Sequence, residues 1–183
     1  MSGALVLYGS RYGYTRTYAQ WIAEDLEGTA LDLASATPED VAEADAVVLG
    51  FSDYAGKLTD AAEAERLAPH LDGRALGFFT VSFSGTVSAT AEKLDGQLAK
   101  NLPTAYAPRR GTVPTGHFRG GIDFSRLSRT HRTAMMGVRT FLKAKPDKSV
   151  SDQQMIDSYG GSADYSDRAS TADFVAAVRA QRG

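Results

Sequence analysis

Short apolar runs alternate along the chain with segments in which apolar residues recur every three to four positions. The apolar runs are rich in Val, Leu, Phe and Ala, which is typical of buried strands; they cover residues 4–8, 29–33, 46–50 and 75–81. The segments with helical spacing predict helices over residues 15–26, 59–71, 87–100 and 167–181. A fifth strand is predicted over residues 115–122, although three glycines and an arginine interrupt it.

Strands that alternate with helices predict an α/β fold, a doubly wound five-stranded parallel sheet covered by helices on both faces. In such folds ligands bind at the carboxyl ends of the strands. The turns after Tyr8, Gly50 and Val81 are therefore the first places to look for a site. We expect a single domain over residues 1–183, in which residues 123–165 form an insertion before the last helix, because they are too many for a simple connection.

Composition narrows the possible chemistry. The chain has 183 residues, of which 43% are hydrophobic and 23% charged, as in ordinary globular proteins. It contains no cysteine, which excludes disulfides, thiolate nucleophiles and cysteine-ligated metals. The three histidines, His70, His117 and His131, lack metal-ligand spacing, so we expect no metal site. The sequence shows neither a signal peptide nor a long apolar segment, and we therefore expect a cytoplasmic protein.

The turn after the first strand, Gly9-Ser10-Arg11-Tyr12-Gly13-Tyr14-Thr15, leads directly into a helix. It places consecutive backbone N–H groups and the hydroxyls of Ser10 and Thr15 at a helix N-terminus, where the helix dipole also favours an anion. Gly13 permits a positive φ or a close approach of the backbone. The turn contains neither G-x-G-x-x-G nor the Gly-Lys-Ser/Thr of a P-loop. A phosphate site is one interpretation, and an ordinary strand-to-helix turn is the other.

The pattern Ser10-x-x-Gly13-x-Thr15 after an apolar strand resembles the phosphate loop of the flavodoxin superfamily. Tyr12 departs from it, because many flavodoxins have a hydroxyl residue at that position. The resemblance implies a flavodoxin-like fold and FMN as the cofactor, bound without a covalent link since no cysteine can form a thioether. The implied phosphate-binding residues are Ser10, Arg11, Tyr12, Gly13, Tyr14 and Thr15.

The same resemblance implies that the loops after the third and fourth strands flank the flavin ring. These loops are Phe51-Ser52-Asp53-Tyr54-Ala55-Gly56 and Ser82-Phe83-Ser84-Gly85. Tyr54 and Phe83 could stack on a flat conjugated ring, although Phe83 could equally be a core residue at the end of a strand. The implied ring-binding residues are Ser52, Asp53, Tyr54, Ala55, Gly56, Ser82, Phe83, Ser84 and Gly85.

Within the superfamily the chain most resembles the menaquinone-dependent protoporphyrinogen dehydrogenase group. It shares Arg11 in the first loop, the long insertion, and Tyr165-Ser166-Asp167 before the last helix, although Arg168 replaces the usual Trp. The resemblance implies an FMN-dependent oxidoreductase of haem biosynthesis that passes electrons from its substrate to a quinone. The alternatives are an electron-carrier flavodoxin that serves a redox partner protein, and a flavin-free interaction domain. No catalytic acid or base is predicted.

Basic residues are concentrated in residues 109–148, whose formal charge is +8, whereas the rest of the chain carries −10. Within this segment, residues 125–143 predict an amphipathic helix with an apolar arc that includes His131. Its basic residues are Arg126, Arg129, Arg132, Arg139 and Lys143. Such a helix favours an anionic substrate or the inner membrane surface as a partner, or else it packs on the domain with its arginines in water. We expect no nucleic-acid partner.

Overall fold

The computed structural model describes residues 3–54, 56–87 and 89–182, and it confirms the doubly wound α/β fold. Five parallel strands form the central sheet in the order β2-β1-β3-β5-β6. Their bounds are β1 Ala4–Gly9, β2 Thr29–Asp32, β3 Ala46–Tyr54, β5 Ala75–Ser82 and β6 Thr115–Arg119. The two-residue strand β4, Lys57–Leu58, pairs antiparallel with the end of β3.

Seven α-helices occur in the described residues. They are α1 Tyr14–Asp25, α2 Pro38–Glu43, α3 Ala61–Leu67, α4 Ala91–Asn101, α5 Arg129–Ala144, α6 Val150–Asp157 and α7 Ala172–Ala180. Helices α1 and α7 cover one face of the sheet, and α2, α3 and α4 contribute to the core on the other face. None of the helices in these residues is long and apolar enough to cross a membrane.

The central strands carry apolar side chains on both faces of the sheet because helices cover both faces. Along β1, the side chains of Leu5 and Leu7 join one core cluster, whereas that of Val6 joins the other. Strand β3 repeats this alternation of faces, as the two-residue period of a strand requires. Burial on both faces explains why these strands lack the polar alternation of a half-exposed sheet.

The predicted strand over residues 115–122 is wrong in its second half. Strand β6 ends at Arg119, and the following strand, β7 Gly121–Asp123, pairs antiparallel with β8, Ser162–Asp164, in a separate sheet. A Cβ on Gly121 would lie only 2.2 Å from the Ala163 carbonyl oxygen and 2.8 Å from the Tyr14 ring. Glycine at this position thus lets the chain leave the central sheet beside α1 and enter the insertion.

Three predicted helices begin or end at other residues in the structure, where capping residues or 3₁₀ turns occur. The helix predicted over residues 59–71 contains α3 followed by a 3₁₀ turn at Ala68–His70, where Pro69 occupies the turn's start. The helix predicted over residues 87–100 begins only at Ala91, because the Thr90 hydroxyl accepts a hydrogen bond from the Lys93 N–H and caps it. The last predicted helix opens with a 3₁₀ turn capped by Asp167 and continues as α7.

The insertion, residues 123–165, contains more structure than the single helix predicted for it. Helix α5 is present but begins at Arg129, where Ser128 is the N-cap, and it is followed by α6 and β8. The insertion has a small core of its own, formed by Ile122, Phe124, Leu127 and Met135, with Met155, Tyr159, Phe83 and Tyr12 packed against it. Because Tyr12 and Phe83 belong to the first and third candidate loops, this core joins the insertion to the carboxyl edge of the sheet.

Candidate functional site

The first loop connects β1 to α1 in a conformation that glycine favours. Gly13 has φ +98° and precedes the first residue of α1. The hydroxyl oxygen of Ser10 accepts hydrogen bonds from the N–H groups of Gly13, at 3.1 Å, and Arg16, at 3.3 Å. The loop is therefore closed by its own first hydroxyl, which donates no hydrogen bond to the described residues.

Several backbone donors of this loop are available to an external anion. Among the described residues, the N–H groups of Arg11, Tyr12, Tyr14 and Thr15 have no hydrogen-bond acceptor. Thr15 is 1% exposed, and its side chain lines the cavity described below. Free amides at the start of a 12-residue helix, together with the positive end of its dipole, are an arrangement that favours an anion.

The second candidate loop is mostly strand in the structure. Strand β3, predicted to end at Gly50, continues to Tyr54 because its end pairs with β4, so only Gly56 among the described loop residues lies in the turn that follows. This segment carries the Asp53 carboxyl group. The Asp53 carboxylate accepts a hydrogen bond from the Gly56 N–H at 2.8 Å. Burial raises the pKa of Asp53, while the Gly56 hydrogen bond and the charge of His117 act in the opposite direction. A carboxyl group with a raised pKa keeps its proton to a higher pH than an exposed one. Ala55, predicted as a cofactor-binding residue, lies outside the described residues.

The ring of Tyr54 on the second loop is placed between charged and aromatic neighbours. Its centroid lies 5.3 Å from the guanidinium carbon of Arg11 and 5.7 Å from the imidazole of His131. Tyr54 thus links the first loop, the second loop and helix α5. Its ring is also part of the cavity wall, where a flat ligand can reach it.

The third loop follows β5 and is held by β6 and the end of the insertion. The Ser82 hydroxyl oxygen accepts a hydrogen bond from the Gly85 N–H at 2.9 Å, and the Phe83 carbonyl oxygen accepts one from Arg119 at 3.3 Å. The Phe83 ring packs edge to face on Tyr165, with 5.5 Å between centroids, and Arg119 lies 4.0 Å above the Tyr165 ring. Phe83 is consequently both a packing residue and a lining residue.

The three loops meet around one cavity of about 430 Å³ at the carboxyl ends of β1, β3 and β5. Most of the predicted residues line it, namely Tyr12, Tyr14, Thr15, Ser52, Asp53, Tyr54, Gly56, Ser82, Phe83 and Ser84. Ser10, Arg11, Gly13 and Gly85 are outside the lining and shape the loops behind it. The volume and the mainly apolar lining with a few polar groups fit a planar organic ligand.

The structure adds two walls that the sequence did not predict. Helix α4 contributes Lys93, Leu94 and Gln97. The insertion contributes the apolar residues Leu127, Met135, Val138 and Met155, beside Ile122 of β7. The amphipathic spacing of α5 was the available signal for the second wall, because Leu127, Met135 and Val138 belong to its predicted apolar arc. The pattern alone could not tell whether that arc faces the domain or a partner.

The apolar arc of α5 is only partly covered. Met135 is 5% exposed, whereas Phe141 is 69% exposed and Met136, outside the predicted arc, is 54% exposed. Several basic side chains of the insertion make internal contacts: Arg132 donates to the carbonyl oxygens of Phe124 and Ser125, and Arg139 lies 4.6 Å from the Tyr159 ring. Arg132 remains exposed to solvent while it makes these bonds, and Arg139 is half-buried against the Tyr159 ring.

A buried polar network lies beneath the second loop. His117 on β6 lies 2.7 Å from the Thr80 hydroxyl through Nδ1 and 2.9 Å from the Asp95 carboxylate through Nε2. The His117 side chain is 3% exposed and Thr80 is 4% exposed. A hydroxyl, an imidazole and a carboxylate in this order resemble a nucleophile with its base, but the burial of Thr80 denies a substrate access to its hydroxyl. The network therefore connects α4, through Asp95, to strands β5 and β6 of the sheet.

Comparison with known proteins identifies the family. The sequence matches the flavodoxin domain over residues 5–149, most of the chain. No curated protein sequence is detectably similar to it. Solved structures to which the chain is similar include a flavodoxin from the domain Archaea, at 20% identity over 54% of this chain and 73% of that one, with a TM-score of 0.43. Another is the two-electron reduced flavodoxin of Megasphaera elsdenii, at 20% identity over 54% and 77%, with a TM-score of 0.44.

A third solved structure is a putative flavoprotein from Bacteroides eggerthii, at 15% identity over 75% of this chain and 98% of that one, with a TM-score of 0.41. These likenesses are distant, and the assignment depends on the domain match over residues 5–149. That match supports a flavin-binding redox protein with a flavin cofactor. By its sequence, and in agreement with its strand order, the chain belongs to the flavodoxin-domain family.

Proposed function

We propose that the protein is an FMN-dependent oxidoreductase similar to menaquinone-dependent protoporphyrinogen dehydrogenase, which passes electrons from a reduced substrate through FMN to a quinone. The observation that carries the proposal is the meeting of three loops and the insertion around one cavity at the carboxyl edge of the sheet. FMN supplies the electron-transfer chemistry when bound, and the protein supplies position, shielding and charge.

The residues present fit FMN at both of its ends. The free N–H groups of the first loop and the hydroxyls of Ser10 and Thr15 would hold the phosphate. The second and third loops would flank the ring, with Tyr54 and Phe83 as its aromatic neighbours. Asp53, at the same wall, is the carboxyl group positioned to take up or release a proton near the ring.

The insertion favours an oxidoreductase that binds an organic substrate with apolar surface over an electron-carrier flavodoxin. Leu127, Met135 and Val138 turn one side of the cavity into an apolar wall, so a reduced porphyrin or a quinone would contact hydrocarbon there and exclude water. Lys93 at the α4 wall offers a cation to a substrate carboxylate. We propose that the exposed apolar residues of α5 with Arg129 and Lys143 meet an anionic substrate or the membrane surface in which quinones dissolve.

The alternative is a flavodoxin-type electron carrier that serves a redox partner protein. The acidic remainder of the chain favours it, because a charge of −10 outside residues 109–148 offers a docking surface to a basic partner. The apolar wall of the insertion does not serve such a role, since a carrier needs no enclosed space for a second organic molecule.

The test is anaerobic turnover of protoporphyrinogen by the FMN-loaded chain with menaquinone as acceptor. The proposal predicts oxidation of the porphyrinogen and stoichiometric reduction of the quinone. Rapid electron transfer from the chemically reduced protein to a carrier-dependent reductase, with no porphyrinogen turnover, would favour the carrier. A Met135→Arg variant places a charge in the apolar wall and should slow quinone reduction, while an exposed Met136→Arg variant on the same helix should have a smaller effect.

A further inference from the structure

We propose that Arg126, from the insertion, is a phosphate ligand of the cofactor, so that cofactor binding and closure of the insertion over the first loop are coupled. This inference deepens the proposed function and depends on FMN being the cofactor. A strand-to-helix loop can bind phosphate through its amides and hydroxyls alone. The additional cation here comes from a segment more than a hundred positions away in the sequence.

The position of the guanidinium carries the proposal. Arg126 Nη1 donates a hydrogen bond to the Tyr12 carbonyl oxygen at 2.7 Å. A Cβ built on Gly13 would lie 3.7 Å from Nη1 and 3.9 Å from Nη2 of the same side chain. The guanidinium is therefore held beside the residue that precedes α1, next to the free N–H groups of the loop.

The hydrogen-bonding capacity of Arg126 is mostly unused. A guanidinium has five N–H donors, and within the described residues the bond to Tyr12 is its only side-chain hydrogen bond. The remaining donors can form the paired, charge-assisted bonds that arginine makes with phosphate oxygens. Hydrogen bonds from Ser125 are the main cause of the lowered pKa of Asp123, and the charge of Arg126 contributes less, so Asp123 does not occupy the free donors of Arg126.

Two further contacts fix the insertion to the same loop. His131 on α5 lies 2.9 Å from Arg11 through Nε2 and 3.0 Å from the Tyr12 hydroxyl through Nδ1. Arg126 and His131 thus approach the loop from the start of the insertion and from its helix. A phosphate bound there would be held by β1–α1 and the insertion together, which is why its binding should also stabilise the closed insertion.

The experiment compares FMN with riboflavin, which has the same ring but no phosphate, by quenching of flavin fluorescence. In Arg126→Ala we expect the affinity for FMN to fall at least about 10-fold, because a charge-assisted hydrogen bond is lost, and the affinity for riboflavin to stay unchanged. Arg126→Lys should retain part of the preference for FMN. The control Lys148→Ala removes an exposed cation from the insertion, away from the first loop, and should leave both affinities unchanged.

The outcomes distinguish failure of the proposed FMN-dependent function from failure of the role proposed for Arg126. If the wild-type chain binds neither flavin, the proposed function fails. If it binds FMN and Arg126→Ala keeps the full preference for FMN, or loses both flavins equally, Arg126 is not a phosphate ligand. Should Arg126→Ala fail to fold, hydrogen exchange of the wild-type protein gives the answer: FMN must slow exchange in residues 124–131 more than riboflavin does, and equal protection overturns the proposal.

Discussion

The imidazole Nδ1 of His131 lies 3.0 Å from the hydroxyl of Tyr12, a contact between residues 119 positions apart in the sequence. The other ring nitrogen lies 2.9 Å from Arg11 Nη2. Because arginine can only donate, Nε2 must accept, and Nδ1–H must therefore donate to the Tyr12 hydroxyl. One neutral imidazole thus joins helix α5 to the first loop, and the insertion is part of the site.

Replacing His131 by alanine should loosen the insertion without unfolding the sheet. The variant loses both contacts with the first loop, while the insertion keeps its small core around Met135. We expect faster amide hydrogen exchange and faster proteolysis within residues 124–145, and unchanged exchange in β1 and β3. His70→Ala, at an exposed turn, is the control; equal protection of α5 in both variants would contradict the assigned role of His131.

Two glycine-to-alanine substitutions should have opposite effects on stability. Gly13 has φ +98°, so alanine there is strained and should lower the free energy of unfolding by about 1–2 kcal/mol. Gly137 lies within α5 with no atom within 4 Å of an added Cβ, so alanine there should raise it by up to about 1 kcal/mol. Urea denaturation measures both changes. A stabilising effect at Gly13 would show that its left-handed conformation is not required.

The His117 network should depend on an acceptor at position 95. Asp95→Ala leaves the buried His117 Nε2–H without its partner and should cost about 1–3 kcal/mol of stability. Asp95→Asn keeps an acceptor oxygen and should cost distinctly less. Thermal unfolding of the two variants tests this, and equal losses would mean that the carboxylate contributes through charge and not through this hydrogen bond.

The raised pKa of Asp53 predicts that this residue lowers the free energy of unfolding by an amount that depends on pH. An acid whose folded pKa lies above its ordinary value of 3.8 is protonated more readily in the folded chain, so it does not destabilise the fold below that value. The destabilisation begins as the pH rises through 3.8 and reaches its full size above the pKa of Asp53 in the folded state. Asp53→Asn keeps the Gly56 hydrogen bond and should be more stable than wild type near neutral pH.

The measurement is the urea midpoint of both proteins at several pH values. The advantage of Asp53→Asn should shrink as the pH falls and disappear below the ordinary pKa of aspartate. A constant difference across the whole range, or a wild-type protein that is the more stable one near neutral pH, would contradict burial as the dominant influence on this carboxyl group.

The sequence was sufficient for the first four strands of the central sheet and for the turn of the first loop because their signals are local. Apolar runs such as residues 46–50 have no alternative to burial on both faces, and a glycine before a helix marks the tight turn at Gly13. The three candidate loops follow from the strand ends, since parallel strands bring all their carboxyl ends to one edge.

The insertion could not be predicted in the same way, because its structure depends on contacts distant in sequence. The strand pair β7–β8 joins Gly121 to Asp164, and the periodicity of three-residue strands is too short to read. Arg126 and His131 bring the start of the insertion and α5 against Tyr12 of the first loop, and hydrophobic spacing carries no information about such pairs. Spacing therefore found the helix but not the wall it forms.

The most direct measurement is a calorimetric titration of the complete wild-type chain with FMN, with riboflavin as the second ligand. The account predicts uptake of one FMN per chain, with clearly weaker binding of riboflavin because it lacks the phosphate that the first loop holds. No heat of binding from either flavin, or equal affinity for both, would contradict the assignment of the loop between β1 and α1 as a phosphate site.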